Sequence, residues 1–401
     1  MHVRLEPMQE LVTGDLTVEF TADVATDRLV FRLWPNGPRQ LSEGARLTTG
    51  AVTSGGSKLD SELTDPTTLV VHPPKPLTAG DGITVSMPWR LRMPGPILDR
   101  LGNHGHTIRL GSFFPILAWE PGVGWATDPP TASLAEASTS TTADFDVTVD
   151  VPAGSTVLAT GVRHGDRWTA IAVRDFALAA GPFDLATGSV NAPDPVRVTM
   201  GVQQGVPIPA RDALGRVERE IRDLSARYGP YPWPELHVVI TKDVGRAAIE
   251  YPTMIFEGAA KFALTASHEV SHQWFYSLVG NDQARDPWVD EALATWGGAN
   301  EDGYLGYALS QAASGVARNH VASAMTFWDR HPDDYGVGVY WRGAQALAAL
   351  GSPARVDCAL RGYVATNAYR IATTRDLVDA LTKVFPDAPD VLKPFGIPAS
   401  G

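Results

Sequence analysis

Apolar residues in the first half of the chain recur at every second position. Between Leu16 and Val30, Leu16, Val18 and Phe20 alternate with Thr17 and Glu19, the period of a strand that buries one face. Shorter runs of the same kind at 68–72, 82–87, 145–151, 156–160, 168–173 and 196–202 predict further strands. Turn residues such as Pro35-Asn36-Gly37, Gly55-Gly56 and Pro152-Ala153-Gly154 separate them. The expectation is an antiparallel, sandwich-like β domain over residues 1–195. After Asn191–Pro195 the period lengthens: Leu214, Val217, Ile221 and Leu224 fall three or four apart, which predicts an amphipathic helix over 212–228. A short apolar strand is expected at 236–241. Helical runs follow at 259–278, 287–299, 315–329, 340–350, 356–366 and 374–385. The fold class predicted is therefore α+β, with a mainly helical second domain over residues 196–401 and no internal repeat.

Composition narrows this further. At 401 residues, 44% hydrophobic and 19% charged, the chain is neither disordered nor suited to a single ordinary core. Its formal net charge of -12 repels phosphate backbones, so nucleic acid is not an expected partner. The one cysteine, Cys358, forms no internal disulfide, and its setting in Val-Asp-Cys-Ala-Leu reads as a buried core thiol. No stretch approaches the roughly 18–20 uninterrupted apolar residues of a membrane span. The first residues alternate Val3 and Leu5 with Arg4 and Glu6 and carry no signal core, which places the chain in the cytoplasm as an expectation.

The candidate chemistry lies in the helical run 259–278, which contains His268-Glu269-Val270-Ser271-His272. On a helix, positions i and i+4 share a face, so the two imidazoles project side by side at a spacing that chelates one ion. Glu269 lies about 100° further round, beside the open coordination position, where a general base would stand. Two histidines leave zinc one protein ligand short. The next helix supplies a candidate: Asp286-Pro287 reads as an N-cap followed by proline at the first helical position, and Glu291 falls just inside. Eighteen residues, 273–290, separate it from His272. A turn around Asn281 to Arg285 would fold the second helix back and complete a His, His, Glu site for one zinc ion per chain. Taken alone, Asp290 and Glu291 read better as favouring the positive end of the helix dipole; paired with the two histidines, the ligand reading prevails.

The zinc helix, the eighteen-residue spacer and Trp288-Val289-Asp290-Glu291-Ala292 resemble the gluzincin metallopeptidases of the aminopeptidase N and leukotriene hydrolase family. Ala247-Ala248-Ile249-Glu250-Tyr251-Pro252 is similar to the family's GxMEN exopeptidase signature in its GGMEYP form. Val339-Tyr340-Trp341-Arg342-Gly343 resembles the VYxKG segment, and Phe114 to Pro121 a drifted FPCFDEP. The resemblance spans residues 10–385 or so. It implies a thermolysin-like catalytic domain and a zinc-dependent aminopeptidase acting on peptides with a free N-terminus. In that reading His268, His272 and Glu291 hold the metal, Glu269 is the base, Glu250 pairs with the substrate's α-ammonium and Tyr340 assists the oxyanion. Tyr335, in Asp333-Asp334-Tyr335-Gly336, matches a family tyrosine near the cleft and is expected to line the substrate pocket. Read without the family pattern, Tyr340 is equally a core aromatic at the head of a helix and Glu250 a glutamate at a strand edge. Trp274 and Phe275 read as core-facing.

This sequence departs from the pattern in four places. Gly245 is followed by Arg246 before two alanines, Ile249 stands for methionine, Tyr276 replaces a glycine, and no glutamine of the β domain matches the family's second amine anchor. Many relatives continue into a helical C-terminal domain, whereas this sequence stops at Gly401. A thermolysin-type endopeptidase and a catalytically silent scaffold are the competing readings. Glu250 argues against the first and the complete ligand set against the second.

Overall fold

In the computed structural model the described residues are 1–5, 10–94, 100–104, 106–132, 139–244 and 247–399. The chain forms two compact units, Met1–Pro182 and Phe183–Gly401. In the first unit a nine-stranded sheet, antiparallel except where His2–Leu5 pairs with Ala143–Asp150, is accompanied by two four-stranded sheets. Leu11–Thr21 and Gly82–Arg92 pair along eleven residues. Val12, Leu16 and Phe20 on the first strand and Val85, Met87, Trp89 and Leu91 on the second are buried. Their neighbours Asp15, Thr17 and Glu19 face outward. The inward residues join one hydrophobic cluster with Leu29, Phe31, Leu69, Val71, Ile108, Leu110, Leu178 and Ala180 from the smaller sheets. The sheets thus bury their alternating apolar faces against each other, as a sandwich requires. Leu16 to Val30 is not one strand: pairing ends at Thr21 and resumes at Leu29–Arg32.

The second unit begins at Phe183, earlier than the change of pattern at 191–195. The reason is pairing: β1 (Phe183–Asn191) and β2 (Pro195–Gln203) form an antiparallel hairpin in a five-stranded sheet, so a boundary at 195 would cut through it. The sheet continues with β3 (Glu235–Thr241), β4 (Ala248–Tyr251) and β5 (Met254–Gly258) in the order β1-β2-β3-β5-β4. β3 is buried along its whole length, as a strand with parallel partners on both sides should be. Helix α1 (Ala210–Tyr228) makes the crossover from β2 to β3 and buries Leu214, Val217, Ile221 and Leu224.

Helices α2 (Phe262–Ser271) and α3 (Trp288–Glu301) follow, then α4 (Leu305–Ser310), a π-helical segment Gly336–Trp341, α5 (Arg342–Leu350), α6 (Pro353–Asn367) and α7 (Thr374–Thr382). Three expectations need correction. The helix expected at 315–329 is a 3-10 turn, Gly315–Arg318, and a single turn, Met325–Trp328. Between them the backbone is engaged elsewhere, with Val321 N–H donating to the Phe395 carbonyl at 3.1 Å. Asp286 does not cap α3: its carboxylate accepts from Thr374 Oγ1, and the helix starts after Pro287 without a side-chain cap. Cys358 is exposed rather than core. α6 buries Val356, Ala359, Leu360, Tyr363 and Val364, and position 358 falls off that stripe. No described helix is long and apolar enough to cross a membrane.

Candidate metal centre and active site

Helix α2 carries His268 and Glu269 in its last turn, and His272 closes it as C-cap. The helix is shorter than its pattern because residues 272–279 turn back on themselves. Ser277 N–H donates to the His272 carbonyl at 2.9 Å and Val279 N–H to that of Trp274 at 3.1 Å. Tyr276, standing where the family pattern has glycine, adopts φ 127°, a conformation that costs a side-chain-bearing residue on the order of 1–3 kcal/mol. Trp274 and Phe275 are buried, 0% and 1% exposed. The reversal returns the chain to α3, which packs against α2. Gly298 makes the approach possible: a Cβ there would sit 2.8 Å from His268 N and 3.0 Å from its Cα.

This crossing brings three donor atoms together. His268 Nε2 and His272 Nε2 are 3.1 Å apart. Glu291 Oε2 lies 3.2 Å from the first and 3.5 Å from the second. A tetrahedral ion with bonds of about 2.0–2.1 Å spaces its donors roughly 3.3–3.4 Å apart, so the triangle fits zinc. Tautomers agree with this. His272 Nδ1 donates to the Phe275 carbonyl at 2.9 Å, and His268 Nδ1 faces Thr295 Oγ1 at 3.5 Å, which leaves both Nε2 lone pairs turned inward. Glu291 Oε2 and Glu269 Oε2 are buried without a hydrogen-bond partner among the described residues.

Around the triangle buried carboxyl groups are dense. Glu250, Glu257, Glu269, Asp290 and Glu291 are all at most 5% exposed. Burial pushes Glu269 well above the usual carboxylate range, with Glu257, Glu250 and Glu291 acting in the same direction. Burial, then Glu291, raises Asp290 to about 8. Burial alone would raise Glu291 too, but His272 and His268 outweigh it and hold that carboxyl below its ordinary range. For His272, burial opposes protonation, and Glu291 overcomes it. So many carboxylates in a dry site are costly without a compensating cation, and a divalent ion at the triangle provides one.

The remaining expected residues surround this centre. Glu250, on edge strand β4, reaches within 4.8 Å of the nearest donor atoms of Glu269 and His272. Tyr340 stacks parallel on His268, centroids 5.7 Å apart at 8°. The π-helical turn, where residues advance less than 100° each, sets its register. Tyr335 is 3% exposed and meets Tyr340 edge to face at 5.7 Å and Trp328 at 5.9 Å. It therefore backs Tyr340 rather than presenting an open face. Gly245 and Arg246 lie outside the described residues.

Several supporting residues were not anticipated. Gln273 Nε2 donates to the Tyr251 carbonyl (3.0 Å) while its Oε1 accepts from Thr253 N–H (3.0 Å), tying the end of the α2 turn to the strand that bears Glu250. Gln283 Nε2 donates to Asp290 Oδ2 at 2.9 Å, and Asp290 Oδ1 accepts from Glu291 N–H at 2.7 Å. Nothing in the local pattern marks Gln273 or Gln283, since their partners come from other elements.

No protein-family model matches the chain. Among curated proteins, "Aminopeptidase M1-C" and "Aminopeptidase M1-B" of Oryza sativa subsp. japonica are 28% identical over 141 residues and 30% identical over 137. Each alignment covers 30% of this chain and 15% of the rice protein, so the match spans a small part of those relatives. Among solved structures, the M1 zinc metallopeptidase from Deinococcus radiodurans superposes with a TM-score of 0.73 at 21% identity, over 99% of this chain and 92% of that one. A mutant of that enzyme bound to a Tyr-Ser-Ala substrate gives 0.72 at 22% identity, over 100% and 93%. A similarity of this extent fixes the architecture: the chain has the two-domain fold of the M1 zinc metallopeptidases.

Proposed function

We propose that this chain is a zinc-dependent aminopeptidase that removes the first residue from peptides. The observation that carries the reading is the donor triangle of His268, His272 and Glu291 with Glu250 standing within a few ångströms of it. When bound there, zinc supplies positive charge that polarises a carbonyl and lowers the pKa of a water molecule. Glu250 pairs with the substrate's α-ammonium and so sets the first peptide bond over the site, which excludes the interior of a chain. Glu269, buried beside the histidines, takes the proton of the attacking water and passes it to the departing amine. Tyr340, held by its stack on His268, donates its hydroxyl proton to the developing oxyanion without adding charge.

The test is hydrolysis of aminoacyl-arylamides beside their N-acetylated counterparts by wild type and Glu250→Ala, with zinc content measured on each preparation. Free-amine substrates alone should be cleaved, and the variant should lose them while retaining zinc. Cleavage of blocked substrates would indicate a thermolysin-type endopeptidase. A zinc-loaded protein inert toward both classes would indicate a scaffold.

A further inference from the structure

Three aromatic side chains gather beside the centre and take no part in the chemistry above. Tyr304 precedes α4 as its N-cap and Tyr307 follows three residues later, so the two share one face of the turn. Trp341 ends the π-helical segment, one residue after Tyr340. Its ring meets Tyr304 at a centroid distance of 6.5 Å and 77°, and Tyr307 at 6.1 Å and 89°, edge to face with both. This is not core packing: Tyr307 is 61% exposed, Leu309 on the same helix 39%, and Tyr304 and Trp341 are half-buried. Ring surface left in water gains the fold little, and a cluster of it marks a place where something binds.

Its location is tied to the centre from two sides. Asp302, two residues before Tyr304, accepts a hydrogen bond from Ser267 Oγ, the side chain adjacent to His268. Trp341 is the direct neighbour of the tyrosine stacked on His268. The donor geometry gives the direction. Glu250 reaches the centre on the side of Glu269 and His272, within 4.8 Å of their donor atoms. Tyr340, next to Trp341, stacks on His268, and Asp302 is held by Ser267, next to His268. A peptide held by Glu250 at its first residue, with the scissile bond over the centre, runs on past His268 toward Tyr304 and Trp341.

We infer that Tyr304, Tyr307 and Trp341 form the subsite for the residue after the scissile bond, and that this subsite selects an aromatic or large apolar side chain at the second position of the peptide. The inference rests on the aminopeptidase reading. A ring entering beside Trp341 completes the edge-to-face arrangement, an interaction worth roughly a three- to tenfold preference over alanine.

The experiment compares kcat/KM for Ala-Phe, Ala-Leu, Ala-Ala and Ala-Asp, all with the same first residue, in wild type, Tyr307→Ala, Trp341→Ala and a control, Leu185→Ala, whose side chain is 52% exposed on β1. Binding of Ala-Phe-Ala and Ala-Ala-Ala to zinc-loaded Glu269→Gln protein, with and without Tyr307→Ala, is followed by calorimetry as a second readout. Wild type should prefer Ala-Phe over Ala-Ala, both aromatic variants should bring that ratio toward one, and the control should keep it. The binding preference should vanish in step with Tyr307→Ala, which removes an exposed side chain and leaves the fold intact as judged by the thermal midpoint. Cleavage without an aromatic preference, or with a preference indifferent to both substitutions, overturns the inference alone. Failure to cleave any of the four dipeptides overturns the aminopeptidase reading, and the inference with it.

Discussion

A buried carboxylate whose Oε2 finds no hydrogen-bond partner, as at Glu269, is held at a free-energy cost and is poised to take a proton. Glu269→Gln keeps the volume and removes the base, so kcat should fall on the order of 10²- to 10⁴-fold with zinc content unchanged. Loss of zinc in that variant would mean that Glu269 is a ligand instead. Tyr340→Phe keeps the stack on His268 and removes the hydroxyl, so its deficit should appear in kcat rather than in KM. A second titrating residue belongs to the first unit. Asp175, in the first unit, accepts from Ser112 Oγ at 2.7 Å and Phe176 N–H at 2.6 Å, yet burial raises its carboxyl to about 6. The folded state therefore holds that proton more tightly than the unfolded chain. Its stabilising contribution is complete below about pH 4 and is lost as the pH rises through about 6. Denaturant midpoints should show wild type losing roughly 2 kcal/mol relative to Asp175→Asn between about pH 4 and pH 7. A pH-independent difference would mean that Asp175 titrates normally.

At the scale of elements, the centre depends on how closely α2 and α3 cross. Gly298 is the point of closest approach, and the atoms a Cβ would meet belong to the His268 backbone, which cannot swing aside. Gly298→Ala should push the helices apart, cost about 1–3 kcal/mol of stability and weaken zinc binding on the order of tenfold, measured by competition with a chromophoric chelator. Gly362, inside α6 with open space around it, is the contrast. Gly362→Ala should raise stability by about 0.5–1 kcal/mol and leave zinc affinity unchanged. The short α2 and the π-helical turn before α5 serve the same end, since each places one side chain where a continuous α-helix would not. The sequence periodicity predicted a longer regular helix over 259–278 and began the second helix only at 340, because a period of 3.6 registers apolar spacing and is blind to a π-helical turn or to a backbone reversal such as that at residues 272–279.

For the whole molecule, the proposed zinc would tie the stability of the second unit to the metal, because the five buried carboxyl groups of Glu250, Glu257, Glu269, Asp290 and Glu291 would lose their compensating cation with it. Chelation should lower the thermal midpoint, and zinc restored at about a thousand times its dissociation constant should return roughly 4 kcal/mol, a shift on the order of 10 °C. A midpoint indifferent to chelator would remove the metal from the account of this site. The division between what the chain alone encodes and what the fold adds follows the range of the interactions. The spacing of His268, Glu269 and His272 could be read directly, because i and i+4 meet on any helix, and the alternation of Leu16, Val18 and Phe20 with Thr17 and Glu19 shows a strand because successive residues on any strand face opposite ways. Glu291 could be offered from the helix start that follows the histidines, and Glu250 only with the help of motif resemblance, since nothing local says which strand edge will face the histidines. Cys358 went wrong for a related reason: an apolar neighbourhood in sequence does not say which side of a helix is covered. Only the tertiary structure decided the 3.1–3.5 Å donor triangle, the Gln273 tie to the Glu250 strand and the Tyr304–Trp341–Tyr307 cluster, because each joins residues whose proximity comes from chain reversals and helix packing rather than from any local period.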